Sequence, residues 1–551
     1  MYHCMYHCMY HCVYWGVGVR EKAEPFGDAE GRAPSRRWDG AKDRRPGRLL
    51  VVFKAVVLLA LMAVTAYGLL KGGLFSDDLW LPSAVGILTL LLVTLFVGDY
   101  YRDVPLAGWV MVALLAALVG IKGLSMTWTL SETETVREVL RSSMYLAAFL
   151  TALAALSSWR QVGPLMDFAV LMVTSVAGYG LLQKISPVRY PTRSLDEVRV
   201  DSTLGYANTT AMILGIGVVL ALARMTKVRN VPLRGIYAAL ILAFLITLYL
   251  TVSRGGIGSL GIGLIVLFVL ANNRLQMLAN LLLLSVPGAW LLWRMQDLDA
   301  LVRADATDQQ KIADGLAFRT DLILAFVAAF VLQAGYAFLV NRYDLQPLGR
   351  RALGAIVLGG MVLAAGVGAF VVVSQYGGVG RTYDALLSNP NQTENASQRL
   401  ASLSIGFRQE YWDVAWEEWK ERPLAGTGAG TFRYTWLQER SSTNDVRQVH
   451  NLYLEQGTET GTFAFLALTG FAAALVGYTA RAAWRSGEHR ERRLLLSGLV
   501  SALVVYLVSS VFEWHWYIPG STLIFFLLAG ITAKFASRAD RGTPPDEQPR
   551  R

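Results

Sequence analysis

Cysteine is nearly absent from this chain. Its three copies, Cys4, Cys8 and Cys12, all lie in the opening repeat MYHCMYHCMYHC beside His3, His7 and His11. Alternating His and Cys at a spacing of four reads as a metal site or as the product of a short nucleotide repeat. A perfect tandem tetrapeptide favours the second origin, or a misassigned start, and residues 1–12 are set aside from function. The body of the chain then has no cysteine, which excludes disulfide and thiol chemistry. Charge is scarce too. Only 17% of the 551 residues are charged and 54% are hydrophobic, where a soluble domain carries roughly a quarter charged residues. An ordinary soluble fold is excluded. The formal net charge of +10 sits mostly in loops on one side of the spans, so positive-inside bias explains it and no nucleic-acid partner is implied.

What is abundant is long apolar sequence. About fourteen apolar spans, from 49–70 to 517–535, have the ~17–23 residues needed to cross a hydrocarbon core roughly 30 Å thick. The fold class is therefore an all-α polytopic membrane protein embedded in a lipid bilayer. The expected organisation has five parts. Residues 1–48 form an Arg-rich cytoplasmic leader, and 49–374 a membrane domain of about eleven helices. Residues 375–460 form one long loop domain, 461–536 the last three helices, and 537–551 a cytoplasmic tail. With the leader inside, the basic loops Arg224 to Arg234, Asn341 to Arg351 and Arg481 to Arg493 fall on the inner side. The acidic loops Ser125 to Glu138 and Arg294 to Gly315 fall on the outer side, as the orientation rule requires. The long loop then faces outward, into the periplasm of a bacterial inner membrane, and both termini are cytoplasmic.

Loops this long are usually functional or disordered, and this one is too aromatic and too helix-patterned to be disordered. From Arg408 to Arg422, Trp412, Ala415, Trp416 and Trp419 recur at i, i+3, i+4 and i+7, one apolar face of a helix. That face suits a helix on the membrane interface or one packed on the domain. Pro423 ends it, and Gly426, Gly428 and Gly430 make a turn that lacks the Lys-Ser/Thr of a phosphate-binding loop. His450 follows just before the twelfth span, where an imidazole can act as a base near neutral pH or simply be structural. His515, between Trp514 and Trp516, reads as an interfacial belt residue. Two other outward stretches stand out. DSTLGYAN, Asp201 to Asn208, opens the sixth span, and SRGG, Ser253 to Gly256, makes a short turn. Arg254 in that turn reads as a phosphate ligand among close backbone amides, or as an arginine snorkelling to water. On the outward side no H-x-x-x-H and no cysteine suggests zinc, and no carboxylate pair stands out by spacing.

Taken together these stretches resemble the O-antigen ligase and polymerase family. Leu204 to Asn208 (LGYAN) resembles its helix-opening segment, and Thr251 to Gly256 (TVSRGG) its Ser-Arg-Gly motif. Arg408 and Trp412 with ERPLAGTGAGTF resemble its Arg-x-x-x-Trp segment and glycine turn. His450 to Glu455 (HNLYLE), followed by Gly461, resembles its His-Asn ending. The resemblance covers roughly residues 200 to 480. It implies a GT-C-like integral-membrane glycosyltransferase with a glycan on undecaprenyl diphosphate as donor, and with lipid A core or another glycan as acceptor. It implies no cofactor and no metal. His450, Arg254 and Arg408 become catalytic candidates. Asn208, Trp412, Gly426, Gly428, Gly430, Asn451 and Glu455 become substrate-binding candidates. A polymerase is the rival within the class. A transporter or flippase is the rival outside it, and it would place ionisable residues mid-span on broken helices.

Overall fold

A computed structural model describes residues 47–193, 198–303, 305–343, 350–387, 406–487 and 489–540. These belong to one compact unit, Gly47–Arg551. The expected leader lies outside the described residues but for its last two, as do the tail beyond 540 and the loop segment 388–405. All regular structure among the described residues is helical. Inside hydrocarbon each backbone N–H and C=O must be satisfied within its own segment, which a helix does and an open strand does not.

The first half of the chain forms α1 (Arg48–Leu70), α2 (Asp77–Leu95), α3 (Leu106–Leu124), α4 (Glu132–Ala155), α5 (Val162–Ile185), α6 (Ala207–Lys227), α7 (Val231–Leu250) and α8 (Arg254–Leu270). Then follow α9 (Arg274–Arg294), α10 (Asp308–Tyr343), α11 (Arg350–Gln375) and α12 (Val379–Leu387). The loop domain contributes α13 (Arg408–Glu421) and α14 (Phe432–Glu439). The chain closes with α15 (Leu452–Arg485), α16 (Arg490–Ser509) and α17 (Pro519–Asp540).

Eleven of the described helices are long and apolar enough to cross a membrane, so this is a multi-pass membrane protein. The other three expected spans fall on helices that miss that standard. Helix α4 opens with Glu132, Glu134, Arg137, Glu138 and Arg141, α8 has only 17 residues, and α11 offers only the apolar stretch Gly366–Gln375.

Burial sorts the helices into a centre and a rim. Helices α6 and α17 are enclosed along their apolar lengths and α16 nearly so, whereas α2, α3, α9 and α10 leave most of theirs unburied. Helices approach closely where side chains are small, because lipid offers no hydrophobic drive for helix pairing and packing must supply it. At the crossing of α1 and α17, a Cβ on Gly68 would stand 2.8 Å from the Gly520 Cα.

The loop domain has its own small core of Tyr411, Ala415, Phe432, Trp436, Val446 and Val449. The tryptophan face of α13 splits three ways. Ala415 is buried in that core and Trp416 is half exposed. Trp419 docks on α15, its ring 5.0 Å from Phe465 and its Nε1 donating to Thr462 Oγ1 at 3.3 Å.

Candidate functional site

His450 sits on a short bridge between the loop core and α15, and each side of it is tied down. Before it, the Val449 N–H donates to Glu455 Oε2 at 3.0 Å. After it, Asn451 caps α15, its Oδ1 accepting from Tyr453 N and Leu454 N at 3.1 Å. Leu452 N donates to Ser510 O at 2.9 Å, which fastens the bridge to the turn between α16 and α17. Between these anchors His450 holds φ of 58°. A left-handed backbone at a non-glycine residue costs ~1–3 kcal/mol and persists only where the surroundings impose it. Asn451 and Glu455 thus spend hydrogen bonds on the backbone around His450.

That α16–α17 turn supplies Glu513, the acid that the motifs did not reveal. It is 3% exposed, and four side chains from three separate stretches converge on it. Arg408 at the start of α13 forms an ion pair with Oε1, while its Nε donates to Phe512 O at 2.7 Å. Asn208 Nδ2 donates to Oε1 at 2.7 Å, and the Tyr206 hydroxyl donates to Oε2 at 2.7 Å. His450 Nδ1 stands 3.8 Å from Oε2, with its side chain one-fifth exposed. Burial, the largest single influence, would raise the Glu513 pKa, but the Arg408 guanidinium together with His450 and His515 outweighs it and holds the carboxyl well below the usual range. Burial lowers the His450 pKa below its ordinary value, and Glu513 only partly opposes this. The result is an ionised acid beside a neutral imidazole. Tyr411 and Trp514 wall the ring, with centroids 5.6 and 6.2 Å from it.

The remaining candidates divide. Trp412 lies against Phe512, ring centroids 6.2 Å apart, at the edge of the cluster. Arg254 is the first residue of α8, after a Ser253 cap whose Oγ accepts from Gly256 N at 3.2 Å. It joins the same end of the bundle through a neighbour. Arg199 bonds Asn208 Oδ1 and donates from Nε to Thr251 O at 2.7 Å, three residues before Arg254.

The glycine turn faces inward rather than toward the cluster. Gly428 N donates to Glu459 O at 2.7 Å. Gly430 N and Phe432 N donate to the Glu459 carboxylate at 2.7 and 3.1 Å. Gly428 has φ of 108°, and a Cβ there would lie 2.1 Å from Thr129 Oγ1. Glycine is needed there for close packing against the α3–α4 turn.

His515 is a correction to the belt reading. It is fully buried, with Nδ1 2.9 Å from Thr209 Oγ1 and Nε2 2.7 Å from Ser509 Oγ. Burial pushes its pKa down to about 4. The turn folds back over α6, so the flanking tryptophans do not carry His515 to the interface.

Beside the cluster lies a cavity of about 780 Å³, lined by Tyr206, Trp514 and Arg199 on the cluster side and by Lys71, Arg193 and aliphatic residues such as Leu70 and Leu79 beyond. Glu513, Tyr206, Arg199 and Trp514 were missed by motif reading. Tyr206 and Trp514 were at hand, one within LGYAN and the other beside His515, but Glu513 lies far along the chain from His450, and only folding pairs them.

Residues 319–469 match the family model described as O-antigen ligase. That match includes Arg408, Trp412, the glycine turn and the His450 bridge, and it leaves Asn208, Arg254 and Glu513 outside. No curated protein sequence matches the chain. Over residues 319–469, this multi-pass membrane protein carries a domain of the O-antigen ligase family.

Proposed function

We propose that the protein moves a glycan from undecaprenyl diphosphate to an acceptor hydroxyl, such as one on lipid A core, at the periplasmic face of the bacterial inner membrane. The observation that carries this reading is the Glu513 carboxylate, which gathers Arg408, His450, Asn208 and Tyr206 at one end of the bundle. His450, neutral because it is buried, accepts the proton of the acceptor hydroxyl. The freed oxygen attacks the anomeric carbon, the bond from that carbon to the diphosphate oxygen breaks, and the diphosphate leaves with the electron pair. Positive charge must already be in place where the negative charge develops. Arg408, held rigidly by Glu513 and Phe512 O, supplies it, and Arg254 is the second candidate. Glu513 acts as a positioning residue. Its carboxylate faces Nδ1 and favours the tautomer that leaves Nε2 to take the proton. The mixed cationic and aliphatic cavity beside Tyr206 suits a polyprenyl diphosphate.

A gel of envelope glycolipids from a deletion strain tests this, with complementation by wild type, His450→Ala, Arg254→Ala or Arg408→Ala at equal expression. Loss of long glycan from the lipid A core, with polymer left on undecaprenyl diphosphate, is the expected phenotype. Wild type restores it and the His450 variant loses about 100-fold or more of the transfer rate. A single repeat unit still joined to the core identifies a polymerase instead. A normal ladder from His450→Ala removes the base assignment and reopens the transporter reading.

A further inference from the structure

A second cavity, of about 310 Å³, shares Phe75 and Ser76 with the first, and four arginines line it: Arg137, Arg141, Arg433 and Arg447. Phe75, Tyr434 and Tyr517 supply aromatic wall, and the lining has no aliphatic side chain. Two carboxylates also line it, Asp77 and Glu134, and both pair with Arg137, at 2.7 and 2.8 Å. Arg433 reaches out to Asp445 at 3.0 Å.

Arg141 is the telling residue. It is 7% exposed, its guanidinium lies 5.0 Å from the Trp80 ring centroid and 4.9 Å from that of Tyr517, and among the described residues it forms an ion pair with Glu138. Its Nε is buried with no hydrogen-bond partner, and the Arg433 Nε is in the same condition. Unpartnered buried donors are costly, and guanidinium groups gathered around a cavity match the planar oxygens of phosphate or carboxylate. Aromatic walls without aliphatic ones suit the face of a sugar and not a lipid chain. Arg447 and Gln448, which line the cavity, precede His450 closely in the chain.

We propose that this arginine-lined cavity binds an anionic group, phosphate or uronate, on the acceptor glycan and so selects a charged acceptor. Calling the ligand an acceptor rests on the transfer reading above. The anion site itself does not.

The test uses the full chain in nanodiscs with lipid A core as acceptor, untreated or treated with phosphatase. Wild type is expected to show a KM ~10-fold lower for the phosphorylated acceptor, the worth of one charge-assisted hydrogen bond. Arg433→Gln and Arg447→Gln, both away from the Glu513 cluster, should each erase that advantage with little change in kcat and no effect on the treated acceptor. Equal KM values for the two acceptors, or variants that leave KM unchanged, overturn the proposal. Should wild type transfer to neither acceptor, the transferase reading fails. Calorimetric titration with mannose 6-phosphate against mannose then decides the anion site. Binding of the phosphosugar that the two substitutions weaken upholds the site, and absence of binding refutes it.

Discussion

At the scale of single residues, the proposed chemistry depends on two ionisation states that solvent alone would not give. Glu513 stays charged because the groups around it, Arg408 first and then His450 and His515, together more than offset the cost of burying it. His450 stays neutral because burial outweighs Glu513. The direction of the second shift fixes a pH profile. A base with a depressed pKa remains unprotonated below the usual imidazole value of about 6.5, so its rate should hold as pH falls through that value and drop only further down. Replacing Glu513 by Gln removes the one influence that raises the His450 pKa, so the acid limb should move to still lower pH while kcat falls, because the ring loses its orienting partner. Initial rates from pH 4.5 to 8 on wild type and Glu513→Gln measure both effects. A limb that moves to higher pH in the variant rules out this coupling.

At the scale of elements, two backbone devices hold the loop domain against the bundle, and both use glycine for its missing side chain. One is the turn at Gly428. The other is Gly461, where α15 breaks with φ of 79° and ψ of 178°. A Cβ at Gly461 would lie 2.1 Å from Leu424 O. Thr462 N donates to Pro423 O at 2.8 Å across this contact, so the break seats the end of α13 on the start of the long helix. Gly461→Ala should therefore destabilise the protein by about 2 kcal/mol or more, from strained backbone and steric overlap together. Gly477→Ala, further along the same helix and with nothing within 4 Å, should be neutral or stabilising by under about 1 kcal/mol. Thermal midpoints in one detergent compare them, and an equal response from the two variants contradicts this account of the break.

At the scale of the whole molecule, the reading requires the end that carries Glu513 and His450 to face away from the cytoplasm. Natural cysteines occur only at positions 4, 8 and 12, so a version with Ser at all three offers a clean background. Gln438→Cys on α14 and Arg229→Cys between α6 and α7, both exposed, then report the two ends. In cells with a permeabilised outer membrane, a membrane-impermeant maleimide should label Cys at 438 and leave Cys at 229 unlabelled. The reverse pattern would put the reacting end in the cytoplasm and exclude a periplasmic transferase.

Much of this protein is written in local sequence. Hydrocarbon admits little but helices of a certain length, so apolar runs and basic loops were enough to determine an all-α multi-pass class. The strongest exceptions were α4 and α8, one too charged at its start and the other too short for composition alone to decide. The i, i+3, i+4, i+7 tryptophan face of α13 was equally legible, though not which of its rings would meet protein and which would stay exposed. Arg408, Asn208 and His450 could be nominated from short motifs because each opens or precedes a helix within a recognisable local pattern. What only the tertiary structure decided was their company. Glu513 joins them through packing of α6, α13 and α15 around the α16–α17 turn, and hydrogen bonds between residues hundreds of positions apart leave no periodic trace in the chain. The same holds for the glycine turn, whose amides meet Glu459, and for His515, which folding buries on Thr209 and Ser509. Helix identity is a local property of the chain in lipid. Protonation state and partnership are properties of a shared, water-poor space that exists only once the helices have closed around it.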